Sequence, residues 1–278
     1  MKISDAATNL AASLKAIVKV ILKSRRPALS AVPCDRPLIV MGNGPSLKAV
    51  LADGRQHLAG SDLLAVNFAA NAPEFSEIRP QYYVLADPLF FSEVKAQNMQ
   101  TLRDSLERVD WPMTLIVPAD SLKRARVLYG ANTNIKLQTI NAVGVEGFGW
   151  LRHALYNARL AMPRPRNVLI PSLMAGIWLG YKEIYVVGAD HSWMQTISVD
   201  EDNRVVSVQP HFYKDDDSEK KRVACEYAGY HLHDIVLSFY VAFRAYHYIA
   251  DYARIRKVQI YNATHGSFID AFVRRPLP

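Results

Sequence analysis

Leu38-Ile-Val-Met-Gly-Asn-Gly-Pro-Ser-Leu-Lys48 is the stretch that decides the fold. Four apolar residues run without alternation into two glycines that flank an asparagine, and Pro45 and Ser46 open a helical pattern. A strand buried on both faces reads as such a run. Glycine lets the backbone turn tightly and approach a neighbour closely. Proline is tolerated in a first helical turn because its missing N–H would be unpaired there. The stretch predicts strand, loop, helix. The amides of such a loop and the helix dipole favour a phosphate, so Gly42, Asn43, Gly44 and Ser46 are expected to bind a nucleotide. The pattern is neither Gly-x-Gly-x-x-Gly nor a Walker loop, so it selects neither a dinucleotide nor ATP. An ordinary tight turn is the competing reading.

Outward from this stretch, similar apolar runs recur at Leu63–Val66, Tyr82–Ala86, Thr114–Val117, Ile184–Gly188 and Val258–Tyr261. Helical patterns are expected near 46–53, 90–108, 120–128, 147–160, 172–180, 231–253 and 267–273. Strands alternating with helices predict a Rossmann-like α/β domain: a mostly parallel sheet covered by helices on both faces. Segment 196–222 breaks the rhythm. It is polar and ends in Lys214-Asp-Asp-Asp-Ser-Glu-Lys-Lys-Arg222, and it reads as a solvated loop or as a lid over the site.

Ligands in such sheets sit beyond the carboxyl ends of the strands. Asn67 follows the second run, and Asp87-Pro88 the third. They should face the same crevice as Asn43, where an asparagine can both donate and accept. Tyr185-Val-Val-Gly-Ala-Asp-His-Ser-Trp193 ends a further strand in Asp190 and His191. This pair suggests acid–base work, with helix capping by Asp190 as the alternative. Metal ligation would need more ligands than the spacing offers, so no metal site is expected. Among the remaining histidines, His233-Asp234 stands where a long apolar helix begins, and a helix N-terminus keeps an imidazole neutral. His211 and Tyr213 lie within the expected lid, and Asn262 follows the last strand.

Of 278 residues half are hydrophobic and 21% charged, the balance of a globular protein. Cys34 and Cys225 are too far apart to make a metal pair, and a reducing compartment is expected. The net charge is +7. Residues 1–30 hold six Lys/Arg against Asp5 alone, which is five of those seven charges. That placement is unlike a nucleic-acid binder, whose charge covers a folded face, and nucleic acid is not an expected partner. Leu10, Leu14, Ile17, Val18 and Ile21 recur at helical spacing, with Lys15, Lys19 and Lys23 on another side. Residues 1–35 are expected to be a basic amphipathic helix and a linker containing Pro27 and Pro33, and residues 36–278 one domain. The helix is a poor transmembrane span, because lysines interrupt it. Its two readings are an anionic membrane surface and packing on protein, including a second copy of the chain.

The order of motifs resembles the bacterial lipooligosaccharide sialyltransferases, within a broader group that includes hydroxymethylpterin diphosphokinase-like proteins and flagellin-associated glycosyltransferases. The matching residues are Gly42–Lys48, Asn67, Asp87-Pro88 in place of Asn-Pro, Gly180–Tyr185 and the strand ending at Gly188–Asp190. Pro171-Ser172 matches the family's Ser-Gly segment loosely. Where the family has a leaving-group tyrosine two residues after the Asp, this chain has Ser192, with His191 beside it. The resemblance implies a GT-A-like variant of the fold. It also implies a metal-independent glycosyltransferase that takes sialic acid or a related acidic sugar from a CMP-activated donor, with no other cofactor. The acceptor would be a bacterial surface glycan, lipid-linked or free, reached from the cytoplasmic face of the membrane. In that scheme Gly42, Asn43, Gly44, Ser46, Asn67, Asp87 and Ser172 bind the nucleotide. His233 is the general base, and Asp190 and His191 act on the donor side. His211, Tyr213 and Asn262 are further candidates. A Mg-dependent pterin-type diphosphokinase and a non-catalytic nucleotide-binding envelope protein are the alternatives.

Overall fold

The computed structural model describes residues 3–26, 28–32, 35–53, 55–93, 96–206 and 229–278. Among them the strands are β1 (Leu38–Met41), β2 (Asp62–Val66), β3 (Tyr82–Val84), β4 (Met113–Pro118), β5 (Ile135–Ile140), β6 (Glu183–Val187), β7 (Ser198–Val199), β8 (Val205–Val206), β9 (Gln259–Asn262) and β10 (Val273–Arg274). The helices are α1 (Ile3–Lys23), α2 (Leu47–Asp53), α3 (Arg55–Leu58), α4 (Phe75–Ile78), α5 (Gln97–Glu107), α6 (Leu122–Tyr129), α7 (Gly149–Asn157), α8 (Leu169–Leu179) and α9 (Leu232–Ile255).

Eight strands form one sheet in the order β10-β9-β6-β1-β2-β3-β4-β5, and every neighbouring pair is parallel. This is the Rossmann-like α/β architecture that the apolar runs predict. Strand residues alternate between two buried layers. Leu38, Val40, Leu64, Val66, Val84, Ile184 and Val186 face α8 and α9. Ile39, Met41, Leu63, Ala65, Tyr83, Tyr185 and Val187 face the layer built with α2 and α5. Burial on both faces is why these strands carry no polar alternation. Helix α8 is buried over its whole length. A side chain on Gly176 would press into Leu38 and Ile184, so glycine sets how closely the helix approaches the sheet.

The structure departs from the sequence reading in three places. Ile135-Lys-Leu-Gln-Thr-Ile140 is an additional edge strand that pairs only with β4. Residues 267–273 are not a helix. Asn262 Nδ2 donates to Ile269 O, Phe268 N donates to Asp190 O, and Ser267 Oγ donates to Ala189 O, so long-range bonds take groups a helix would use. Residues 24–32 do not behave as a linker where they are described. Arg25 N and Arg25 O both bond Asn141, Ser30 N donates to Gln138 Oε1, Arg159 donates to Leu29 O, and Leu29 is buried. Helix α1 continues this attachment through Ser13, Ala16 and Val20.

Candidate functional site

The chain runs outward from β1 to β5 and returns at β6, on the other side of β1. The strand order therefore reverses between β1 and β6, the place where parallel sheets open a crevice at their carboxyl ends. The loops leaving these two strands are laced together. Gly42 N donates to Val187 O and Gly44 N to Gly188 O, each at 2.8 Å. A Cβ on Gly42 would overlap Gly188 O, and one on Gly44 would overlap both Gly188 O and the Asp190 carboxylate. The two glycines are needed for the approach of one loop to the other.

Asp190 completes the joint. Its Oδ2 accepts from Ser46 Oγ at 2.7 Å, and its Oδ1 accepts from Ser46 N at 3.3 Å. A carboxylate at a helix N-terminus is favourable, and it takes the amide that the sequence reading offers to a phosphate. The amides of Gly42, Gly44 and Ser46 thus have protein partners. Gly42, Asn43 and Gly44 still border the crevice, but Ser46 is turned to Asp190 and is not among the lining residues.

Beyond the strand ends lies a cavity of about 360 Å³, lined by Asn43, Asn67, Asp87, Arg166, Asn167, Asp190 and His191 among others. Asn43 Nδ2 donates to Val66 O at 3.2 Å, while its Oδ1 is buried without a partner. Asn67 has φ of +50°, and Tyr83, whose hydroxyl donates to Asn67 O at 2.5 Å, supports that left-handed turn. Asn67 Oδ1 is likewise buried and unpartnered. A buried acceptor left unpaired costs about 1–3 kcal/mol. Asp87 is exposed and caps the turn that follows it, accepting from Leu89 N at 2.8 Å. Phe68 and Phe90 pack edge to face at 5.1 Å and also line the cavity.

On the opposite side His191 adopts φ of +53° and is buried. Its Nε2 lies 2.6 Å from Tyr246 Oη, and Tyr246 Oη lies 3.0 Å from Asn167 Oδ1. Asn167 Oδ1 also accepts from Leu169 N, which fixes it as the amide oxygen. His191 Nε2 thus sits between Tyr246 Oη and Asn167 Nδ2, the latter at 3.5 Å, in one hydrogen-bonded group. Burial holds this imidazole neutral, its pKa pushed down to about 3. Trp193 packs on it with ring centres 4.1 Å apart.

Other expected residues lie elsewhere. Ser172 is fully buried inside α8 and donates to Val168 O at 2.7 Å. That bond holds it in the helix, away from the cavity. Asn262 is buried and ties Thr264 N and Ile269 O together. His233 stands in the first turn of α9 with its side chain 80% exposed, 3.4 Å from Asp234, and does not line the cavity. His211, Tyr213 and the expected lid from 207 onward lie outside the described residues. Residues 198–206 form the small β7–β8 hairpin.

Arg166 and Asn167 are polar lining residues that sequence reasoning missed. Met162-Pro-Arg-Pro-Arg-Asn167 carries a signal in hindsight: its prolines exclude helix, leaving a stiff basic loop ahead of α8. No side-chain ion pair involves Arg166 among the described residues, whereas Arg164 reaches Glu146 at 3.8 Å. Among those residues no three His, Cys, Asp or Glu side chains cluster as metal ligands would. No helix described is long and apolar enough to cross a membrane.

No family model matches the chain, and no curated protein sequence matches it. Similar solved structures exist. The MAf glycosyltransferase of Magnetospirillum magneticum AMB-1 aligns with a TM-score of 0.51 at 12% identity, over 96% of this chain and 38% of its own. The present chain thus spans well under half the length of that protein. A Campylobacter jejuni sialyltransferase bound to cytidine-5'-monophosphate aligns with a TM-score of 0.40 at 16% identity, over 87% of this chain and 85% of its own. An alpha-2,3-sialyltransferase from the same organism, in apo form, gives 0.44 at 14% identity, over 89% and 83%. What the first likeness establishes is a fold shared with a glycosyltransferase.

Proposed function

We propose that this protein is a glycosyltransferase whose donor is a CMP-activated sugar, bound in the cavity at the β1–β6 switch point. The observation that carries the reading is that Asn43 and Asn67, whose Oδ1 atoms have no hydrogen-bond partner among the described residues, line one cavity at the strand ends together with Asp87 and Arg166. The sequence resemblance at Gly42–Lys48 and Gly180–Asp190 supplies the donor class.

In this reading the two asparagines and Asp87 hold the base and ribose, whose amino and hydroxyl groups donate to them. Phosphate is met by Arg166, since the amides of Gly42, Gly44 and Ser46 are occupied. A guanidinium suits this role: it is always charged and can grip two phosphate oxygens at once. As the glycosyl bond breaks, negative charge grows on the departing phosphate, and a fixed cation stabilises that charge most. His191 orients the site as a neutral hydrogen-bonding group. With a pKa of about 3 it is too weak a base to take the acceptor proton near neutral pH. We assign that proton to His233 on the resemblance alone: it lies outside the cavity, exposed beside Asp234 at the start of α9, so the acceptor hydroxyl would have to reach it there. The acceptor hydroxyl then attacks the anomeric carbon, the carbon–phosphate oxygen bond breaks, and CMP leaves.

The test is a thermal-shift panel of CMP, CDP, UMP, ADP, ATP and GTP. A cytidine nucleotide at 100 times its Kd should stabilise the fold by about 2.7 kcal/mol. If ATP or GTP shifts Tm and CMP does not, the donor assignment fails.

A further inference from the structure

We propose that the free face of α1 docks the protein on an anionic lipid surface. This inference stands on α1 and its neighbours and does not depend on the donor assignment.

The helix is attached to the domain by its small residues. Ser13 and Ala16 are buried, Val20 packs on the core, and Ser13 Oγ accepts from Phe148 N at 3.0 Å. A Cβ on Gly147 would meet the Ser13 backbone, so helix and loop are in close contact. Lys19 Nζ donates to Gly144 O and Ser24 Oγ to Leu160 O. The large apolar residues point away from this attachment. Leu10, Leu14, Ile17, Val18, Ile21 and Leu22 are between 41% and 73% exposed. With about 100° per residue, the first five fall within an arc of roughly 100° beside the attached face. This is a firmly held helix whose hydrophobic stripe covers nothing among the described residues.

What covers it is indicated by charge. Lys15, Lys23, Arg25 and Arg26 are exposed along the same segment, where Asp5 is the only acid within residues 1–30. A second copy of this helix would bring like charges together, whereas anionic headgroups neutralise them. An apolar stripe with lysines at its border is the form of helix that lies in a membrane interface. Trp150 adds to this. It is 70% exposed and stacks on Phe148, the residue whose amide holds Ser13, and tryptophan favours the headgroup region.

The experiment is co-sedimentation of the full chain with vesicles of phosphatidylcholine alone and with one third phosphatidylglycerol. Binding is expected to the anionic vesicles, weakening in 0.5 M salt, with a blue shift of tryptophan emission that is absent in Trp150→Phe. The triple variant Leu14→Glu, Ile17→Glu, Ile21→Glu changes exposed positions only and should keep the wild-type circular dichroism while losing binding. Each of Lys15→Gln and Lys23→Gln should weaken binding about fivefold. Sedimentation velocity without lipid separates the other occupant. A dimer that the triple variant converts to monomer, with no vesicle binding by wild type, overturns the proposal and assigns the face to a second copy. Equal vesicle binding by wild type and the triple variant overturns it as well.

Discussion

Ser46 Oγ donates to Asp190 Oδ2 at 2.7 Å across 144 residues of sequence, and this bond joins the ends of β1 and β6. The Asp190 side chain is thus a strut of the crevice, placed where helix α2 begins. Asp190→Ala should lower stability by about 1–2 kcal/mol, the cost of removing a helix cap, and should also weaken nucleotide binding by loosening the loop. Gly44→Ala, which drives a methyl group into Gly188 and Asp190, should cost about 1–3 kcal/mol as overpacking does. Urea unfolding measures both, and wild-type stability in Gly44→Ala would show that the two loops are not in contact.

Nucleotide affinity should separate from stability at the asparagines. Because Asn43 Oδ1 and Asn67 Oδ1 have no protein partner, replacing them removes unpaired buried acceptors. Asn43→Ala should cost the free protein about 1 kcal/mol or less while lowering cytidine nucleotide affinity at least tenfold. Arg166→Ala should leave Tm unchanged and weaken CMP more than cytidine, since only CMP carries the phosphate. Calorimetric titration of both ligands is the check, and an equal loss for the two would place Arg166 away from the phosphate.

His191 makes stability depend on pH. Burial lowers its folded-state pKa to about 3, against an ordinary 6.5. Between these values the unfolded chain binds a proton that the folded chain does not, so stability rises with pH across the window. It is complete above about pH 6.5 and declines as pH falls toward 3. Burial lowers His153 in the same direction, so the comparison needs a variant. His191→Gln should flatten the decline between pH 6.5 and 5 relative to wild type. Parallel curves would mean that His191 is charged or exposed in solution.

Transfer should persist in EDTA, because a guanidinium at Arg166 can stabilise the departing phosphate without a metal. Strict Mg²⁺ dependence would favour the diphosphokinase alternative. In the same assay His233→Ala should lower kcat by about 10²–10⁴-fold while sparing nucleotide affinity. His191→Ala should disturb Tm and donor binding together. A near-normal kcat in His233→Ala, with loss in His211→Ala, moves the base to His211.

Removing residues 1–30 should damage the fold. The deletion strips Asn141 of both bonds to Arg25, takes Leu29 out of the core and frees Gln138. The three hydrogen bonds to Asn141 and Gln138 alone, at about 1 kcal/mol each, set an expected loss of at least about 3 kcal/mol in urea unfolding. A fully stable truncated protein would show that this segment is an appendage.

Much of the architecture is written locally. Unbroken apolar runs such as Leu38–Met41 and Ile184–Val187 determine strands buried on both faces, and such strands pair in parallel. Parallel strands share one carboxyl edge, so Asn43, Asn67, Asp87 and Asp190 were bound to meet once the strands were placed. The edge strand β5 escaped because its Lys136 and Gln138 interrupt the apolar pattern. What local pattern does not encode is partnership across the sheet. A Gly-Asn-Gly-Pro-Ser loop has the same propensities whether its amides meet a phosphate or another loop. Only the placement of β6 beside β1 gave them Val187, Gly188 and Asp190. The same holds for Ser172, which helix α8 keeps in its interior, and for His233, left exposed at the start of α9. It holds for Arg166 and Asn167, which the Pro163–Pro165 loop carries to the cavity. Strand direction and burial follow from short-range sterics and the hydrophobic pattern. Which polar group satisfies which at the joint of the β1 and β6 loops depends on contacts more than a hundred residues apart, and the tertiary structure decides those.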